Sequence, residues 1–564
     1  MGVTRIHRGG WATPASSLAF KTGDWRNERP VHRHRAAPCH AACPAGEDAQ
    51  AWLARIDAGD AQGAWETLVR VNPLPAITGR VCHHPCESAC NRGRFDAPIA
   101  IHHVERQLGE QAIAAGWAYP CAPLAADTPR VAVVGAGPAG LSAAWHLRRL
   151  GAAVTVFERL AVTGGLLRTA IPPYRLARDV LDAEIDRLLG TGIELATGQQ
   201  LGRHFSLDEL RAQFDGVFVA PGTHHAAEWN VQGATPADLH NGLELLEELL
   251  TVGAAPTWRS AAVVGAGNTA IDLARVLKAA GVAEVRVISH KAIPGPGVAP
   301  EDAMPAILRE IRQALEEGVR IHEHRGVQRL ILRGERVVGV EIVHMKKLRG
   351  SDGRLHRVGF EGTESVLEVD QVIPAVGQRV DPDGFAAMLN ARGYLATADD
   401  GRLAGRRRVF AGGDALGVNG TVSAAIGDGR RAAEALWAEL QGRAHVAEPA
   451  LEPIPLEALN LNYYEAGQRP AERVVPVADR GVGVEIELGI DRREAQAEAQ
   501  RCFSCGECFA CDNCWTLCPD SAVLKTAAAD AGAGGYVFDY DYCKGCGLCA
   551  HECPCGYIQM TPED

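Results

Sequence analysis

Cys508, Cys511, Cys514 and Cys518 run CxxCxxCxxxCP into Pro519, and Cys543, Cys546, Cys549 and Cys553 repeat the run into Pro554. A [4Fe–4S] cube takes four thiolates. Two-residue gaps put three sulfurs round one cube, and the cysteine before proline reaches the other cube. The spacing therefore assigns Cys508, Cys511, Cys514 and Cys553 to one cluster, and Cys518, Cys543, Cys546 and Cys549 to a second. Structural zinc also uses CxxC pairs, but it does not account for a doubled four-cysteine run with both prolines. Cys502, Cys505 and Cys555 complete this group, and Cys39, Cys43, Cys82, Cys86, Cys90 and Cys121 form another. The 380 residues from 122 to 501 hold no cysteine. A disulfide reductase, which needs a redox pair beside its flavin in that stretch, is thereby excluded.

That cysteine-free stretch carries two nucleotide signatures. Residues 131–159 read VAVVGAGPAGLSAAWHLRRLGAAVTVFER: a buried strand, Gly135-x-Gly137-x-x-Gly140, a helix, and a second strand ending at Glu158. The first glycine makes the turn, the second lets backbone approach a pyrophosphate, and the third lets helix and strand pack closely. The helix N-terminal amides face the phosphates, and the acid suits the ribose hydroxyls. Residues 261–291 repeat the design with Gly265, Gly267 and Ala270. Here the second strand ends in Ser289, His290 and Lys291, with no carboxylate. Basic residues at this place accept a 2′-phosphate, so the second site leans towards NADP over NAD. A third segment, FAGGDALGVNGTVSAAIGDGRRA at 410–432, puts Gly413 and Asp414 between a strand and a helix. In two-dinucleotide flavoproteins such an aspartate lies on the flavin ribityl chain.

These signatures need a large α/β scaffold, and the chain supplies it. Its 564 residues allow three to five domains. Hydrophobic residues at 47% and charged residues at 22% are those of a globular protein. The 62 glycines exceed the usual share and mark many tight turns. A net charge of −12 argues against a nucleic-acid partner. No apolar run is long enough for a membrane helix, and residues 1–20 lack an apolar signal core. The expected location is the cytoplasm, where thiols stay reduced.

Together these residues resemble the small, NADPH-oxidising subunit of glutamate synthase and its flavoprotein relatives, including the FAD half of dihydropyrimidine dehydrogenase. The resemblance covers about residues 35–440 and rests on NPLPAITGRVC (72–82), CESAC (86–90), GGLLRTAIPPYRLARDV (164–180), VAPGT (219–223), GAGNTAIDLAR (265–275), MPA (304–306), PAVGQ (374–378) and AGGDA (411–415). It implies FAD contacts at Gly135, Gly137, Pro138, Ala139, Gly140, Glu158, Arg159, Gly164, Gly165, Leu166, Arg175, Ala220, Gly222, Gly413, Asp414, Thr421 and Val422. It implies NAD(P) contacts at Gly265, Gly267, Asn268, Thr269, Ala270, His290, Lys291 and Gly377. The implied fold class is an α/β two-dinucleotide-binding (Rossmann-like) flavoprotein, with an N-terminal helical Fe–S domain and a C-terminal α+β ferredoxin-like domain. The expected domains are 1–125 (Fe–S), 126–245 and 361–445 (FAD), 246–360 (NAD(P)), 446–500 (linker) and 501–564 (two-cluster ferredoxin).

The resemblance also implies an N-terminal cluster on Cys43, Cys82, Cys86 and Glu105, although Glu105 also reads as a solvated helix residue. A second family cluster uses an upstream CxxC with residues matching Cys39 and Cys90. That CxxC is absent here, where Val31 and His34 stand instead, with His32, His40, His83 and His84 nearby. Either a histidine substitutes, or the cluster is lost, or the pair has moved. Arg501-Cys502-Phe503-Ser504-Cys505-Gly506 reads like the missing segment in a new place. Cys39, Cys90, Cys502 and Cys505 would then complete a cluster; otherwise Cys502 and Cys505 are free thiols or displace a ferredoxin ligand. The cofactors expected are FAD, NADP or NAD, and three to four [4Fe–4S] clusters, with no protein catalytic group because the cofactors carry the hydride chemistry. The appended ferredoxin resembles the NAD(P)-coupling subunits of thiamine-dependent 2-oxoacid oxidoreductases acting on 2-oxoglutarate or phenylglyoxylate. The expected partners are therefore the other subunits of such a complex, or ferredoxin. The alternatives are a glutamate synthase-type subunit or a free-standing NAD(P)H:ferredoxin oxidoreductase.

Overall fold

The computed structural model describes residues 21–231, 239–253, 256–351, 353, 355–418, 420–447, 449–526 and 533–563, and the strand Ile6–Arg8. The expectation about export rests on residues 1–20, most of which lie outside the described residues.

Strand Arg130–Val134 is apolar and fully buried beyond its first residue, as an inner parallel strand must be. It is the centre of a five-stranded parallel sheet in the order Val409–Ala411, Gly216–Val219, Arg130–Val134, Ala153–Glu158, Glu194–Thr197. A second parallel sheet runs Arg320–His322, Glu284–Ile288, Ser260–Val264, Gln371–Pro374. Its last strand lies beyond residue 360, so the nucleotide domain extends further than expected from the sequence. The chain leaves the first sheet and returns to it at His225–Ala226 and Gln378–Arg379, which pair antiparallel. Strand Arg336–Arg349 of the second domain pairs first with Arg325–Arg333 and Ser365–Glu368, and its end, from Met345 to Arg349, forms a projecting hairpin with Leu355–Gly359.

The N-terminal domain is helical. Helices Pro75–Val81 and Ile101–Ala115 cross so closely that a Cβ on Gly79 would meet the Arg106 backbone nitrogen at 2.5 Å, and one on Gly109 the Ala76 nitrogen at 2.4 Å. The segment 446–500 crosses the surface in short turns and ends in helix Arg492–Gln500, with Asp491 and Glu494 forming a capping box. Its Ala495 and Ala499 join the same core as Trp52, Leu53 and Ile101. This helix is thus packed with the N-terminal domain, and so are Phe503 and Cys505, which lie past the expected boundary at 501. Beyond it, strand Glu28–His32 pairs with Ile558–Pro562, and Ile6–Arg8 pairs with Val523–Thr526, so early and late segments build the C-terminal α+β module together. Among the described residues no helix is long and apolar enough to cross a membrane.

Candidate functional site

The first glycine turn follows strand Arg130–Val134. Gly135 has φ +104°, and a Cβ there would meet the Ala220 carbonyl oxygen at 2.2 Å. A Cβ on Gly140 would meet the Gly135 carbonyl oxygen at 1.8 Å. Helix Pro138–Leu150 has no side-chain cap, so its first amides remain available to an anion. They face a cleft of about 390 Å³ lined by Gly135, Gly137, Pro138, Ala139, Glu158, Arg159, Gly165, Leu166, Arg175, Ala220, Gly222, Gly413, Asp414, Thr421 and Val422. Gly140 and Gly164 do not line it; they hold the backbone turns behind it. The Glu158 carboxylate accepts the Ala136 and Leu160 amides at 2.7 and 2.8 Å, which fixes it at the strand end. Burial pushes the Asp414 carboxyl up to about 6. The glycine backbone, uncapped helix and fixed acid fit the dinucleotide of FAD. Gly135→Ala should therefore reduce flavin per purified chain to less than about a tenth, a loss of at least ~1.4 kcal/mol in binding. Flavin absorbance after desalting, with circular dichroism as the folding control, checks this; full flavin content would refute it.

Asn268 and Thr269 open onto the same cleft. The second glycine turn is equally tight, since a Cβ on Gly265 would lie 2.5 Å from the Ala375 carbonyl oxygen and 3.0 Å from the Ala270 side chain. Gly267 faces open space, and Gly377, at φ +133°, turns the chain into Gln378. Asn268 is held from two sides: its Oδ1 accepts the Ile307 amide at 2.9 Å, and its Nδ2 donates to His83 Nε2 at 2.9 Å. His290 and Lys291 follow strand Glu284–Ile288, outside the cleft. Burial pushes the His290 imidazole down to about 4, and the charges of Arg357, Lys291 and Lys347 add to it; Lys347 and Arg357 stand directly opposite one another in the hairpin.

A buried ion network joins the two nucleotide domains at the cleft. Arg175 meets Asp272 at 2.7 Å and Glu310 at 3.3 Å. Arg275 pairs with Glu310 and, at 2.7 Å, with Glu317. Tyr174 donates to Asp272 at 3.2 Å beneath the Arg275 guanidinium.

The cysteines gather into four sets. Burial raises the thiols of Cys43, Cys82 and Cys86, and Cys82 lies close enough for its charge to add to the rise at Cys43 and Cys86. Two buried carboxylates adjoin them. Glu105 is beside Cys82, accepting hydrogen bonds from Thr78 and, at 3.0 Å, from Asn72. Glu47 is beside Cys43 and accepts from the same Asn72 at 2.8 Å. Cys82 hydrogen-bonds Ser423 at 3.5 Å, and its neighbours Val81 and His83 line the flavin cleft. Cys39, Cys90, Cys502 and Cys505 line one small apolar cavity with Leu53, Ile99 and Phe503. Of the histidines that could have replaced a cysteine there, His34 meets Glu507 at 2.5 Å, and His32 packs on Phe538 and Tyr557. Cys508, Cys511, Cys514 and Cys553 form the third set. Cys518, Cys543, Cys546 and Cys549 line the fourth. Cys555 touches Cys553 at 3.8 Å between sulfurs, and Cys121 joins no set.

Sequence reasoning did not single out Glu47, Asp272, Gln378, Lys347 or Arg357, and it noted His83 only as a possible cluster ligand. His83, directly after a cluster cysteine, and Asp272 and Gln378, inside the GAGNTAIDLAR and PAVGQ signatures, carried a local signal.

The pyridine nucleotide-disulphide oxidoreductase family model matches residues 129–429, more than half of the chain. The chain belongs to this family. Those residues hold no cysteine, so membership brings the nucleotide folds without the redox disulfide. The model for dihydropyrimidine dehydrogenase domain II, 4Fe-4S cluster, matches residues 28–117. The NADP(+)-dependent formate dehydrogenase subunit beta of Moorella thermoacetica is 32% identical over 88% of this chain and 72% of its own. The NADPH-Fe(3+) oxidoreductase subunit beta of Geobacter sulfurreducens is 32% identical over 86% and 78%. The glutamate synthase [NADPH] small chain of Mycobacterium tuberculosis is 30% identical over 73% and 87%. The chain is an FAD-dependent NAD(P) oxidoreductase with Fe–S centres.

Proposed function

We propose that this oxidoreductase carries electrons between NADP(H) and a partner subunit through FAD and four [4Fe–4S] clusters held in one row. The observation that carries this reading is the order of the cysteine sets. Cys43 and Cys86 each lie four residues from Cys39 and Cys90, along the short helices Pro38–Ala42 and Pro85–Ala89. One helical turn advances about 6 Å, so the first two sets are adjacent. Cys505 and Cys508 are three residues apart, which limits the next step to about 10 Å. Bound flavin supplies exchange of electron pairs with the nicotinamide and of single electrons with the clusters. The residues hold the groups and keep water out: Ser423, Val81 and His83 connect the first cysteine set to the cleft, while the Arg175–Asp272–Glu310 network holds the nucleotide domains together. Glu105, or Glu47 beside it, is the fourth ligand of the first cluster.

Two of the relatives reported are beta subunits and the third a small chain, which supports a larger partner subunit. They do not support the 2-oxoacid complex expected from the appended module. Anaerobic NADPH should bleach both flavin and cluster absorbance in the purified chain; bleaching of flavin alone would overturn the reading.

For NADP over NAD the support is charge. Lys347 and Arg357 oppose each other across the ladder, a like-charge pairing that costs stability unless an anion lies near. Their field reaches Lys291, and Asp302 offsets only part of it, meeting Lys347 at 2.8 Å. A Lys291→Ala, Lys347→Ala, Arg357→Ala variant should raise KM for NADPH at least about tenfold, or ~1.4 kcal/mol, and leave that for NADH unchanged. Equal effects on both nucleotides would refute 2′-phosphate recognition.

A further inference from the structure

On the face of helix Ile101–Ala115 that meets the 446–500 segment, two adjacent histidines and a glutamate converge. One ring nitrogen of His102, one of His103 and a carboxylate oxygen of Glu472 all lie within 4.8 Å of one another. His102 and His103 are buried, at 2% and 3% exposure, while Glu472 reaches in from solvent. The Glu87 carboxylate accepts from His102 Nδ1 at 2.6 Å, fixing the tautomer whose Nε2 is an acceptor, a lone pair that Arg309 Nη1 reaches at 3.4 Å and that a cation would take over. A carboxylate behind a histidine is how metal-binding imidazoles are commonly oriented. His103 has both ring nitrogens buried with no hydrogen-bond partner. A buried polar group left in this state is costly, and a bound ion removes the cost. His84, held at φ +53°, stacks on His102 with ring centroids 4.0 Å apart, and its Nε2 is likewise buried without a partner.

Three arginines lie nearby, each already bound to a carboxylate. Arg309 pairs with Glu487, while its Nη1 approaches His102 Nε2 at 3.4 Å; Arg469 meets Glu87 at 2.8 Å, and Arg106 meets Glu110 at 2.9 Å. Glu472 forms no ion pair or hydrogen bond among the described residues, so its charge is available to a cation.

We infer that His102, His103 and Glu472 form a binding site for a divalent cation of the zinc class, separate from the iron–sulfur ligands. Two imidazoles and one carboxylate are a common zinc donor set, with a fourth position open to water or His84. Ligands at about 2.0–2.1 Å in a tetrahedron stand about 3.3 Å apart, a closure that the exposed Glu472 side chain can supply. A cation here clips the surface segment to the Fe–S domain some twenty residues before Arg492–Gln500 carries it to Cys502 and Cys505.

The test uses the full chain, treated with a chelator, dialysed against Zn²⁺ and desalted. Zinc, iron and flavin per chain are then measured by elemental analysis and absorbance. The wild type should hold about one zinc beyond its iron. Glu472→Gln, at an exposed position, and His103→Gln should each weaken zinc binding at least about tenfold in competition with a chelator, with iron and flavin unchanged. Absence of zinc uptake by the wild type, equal uptake in both variants, or zinc lost only together with iron would each overturn the site. Because iron and flavin are read separately, failure here leaves the electron-transfer reading standing.

Discussion

Replacing Cys502 and Cys505 together by alanine should remove about four irons from roughly sixteen, and a Cys39→Ala, Cys90→Ala variant should lose the same four. The four side chains come from segments more than 400 residues apart and meet in one buried cavity. Burial pushes the Cys39 thiol well above its ordinary range, and the charges of Cys502, Cys90 and Cys505 add to that push. Four thiols so placed are poor neighbours as free thiolates and good ones around a cation cluster, whose charge reverses the effect. The variants should still fold. Helix Arg492–Gln500 is anchored independently: Glu498 accepts the Ala100 amide at 2.7 Å, and Arg501 pairs with Glu498 at 2.6 Å and Asp96 at 3.0 Å. Arg92 completes the set on Asp96 at 2.8 Å. Iron and acid-labile sulfide, with EPR of the dithionite-reduced protein, check the prediction. Unchanged iron in either variant would mean that the cavity holds only thiols.

What the sequence made legible here was whatever is encoded locally. A glycine turn must be glycine because the backbone closes on itself, so Gly135, Gly140 and Gly265 are readable without a structure. The paired CxxCxxCxxxCP runs are readable for the same reason, since their geometry is carried by short gaps. Glu47 was not readable: four residues after Cys43 it looks like a solvated acid, and only Asn72, in the turn before helix Pro75–Val81, ties it to Thr78 and Glu105. Lys347 and Arg357 escaped because their charge reaches the second nucleotide domain from a hairpin more than fifty residues downstream of Lys291. Helix Arg492–Gln500, RREAQAEAQ, falls in the segment expected to be a linker, because its buried stripe is two alanines and a paired glutamate. Its Asp491–Glu494 capping box was the signal that could have found it.

A Cys43→Ala, Cys86→Ala variant should lose about four irons as well, but with a different functional signature. This set, not the Cys39 set, adjoins the flavin cleft, through Cys82 to Ser423 at 3.5 Å and through Val81 and His83 in the cleft wall. Ser423 directly follows Thr421 and Val422, which line the cleft at the start of helix Val422–Leu440. In the proposed row, removing the centre nearest the cleft leaves the other three without their link to the flavin. After mixing with NADPH, flavin absorbance should still bleach at the wild-type rate. The EPR of reduced clusters should then grow at least about a hundredfold more slowly, the equivalent of ~2.7 kcal/mol in barrier. Dithionite, which reaches clusters from solvent, should still reduce all three. The Cys502→Ala, Cys505→Ala variant differs in one respect that separates the two sets. Its first cluster should still be reduced by NADPH at the wild-type rate, and only the C-terminal pair should lag. If both variants slow every cluster equally, the sets are not in series from the cleft outward, and the row of centres is wrong even where the iron count is right.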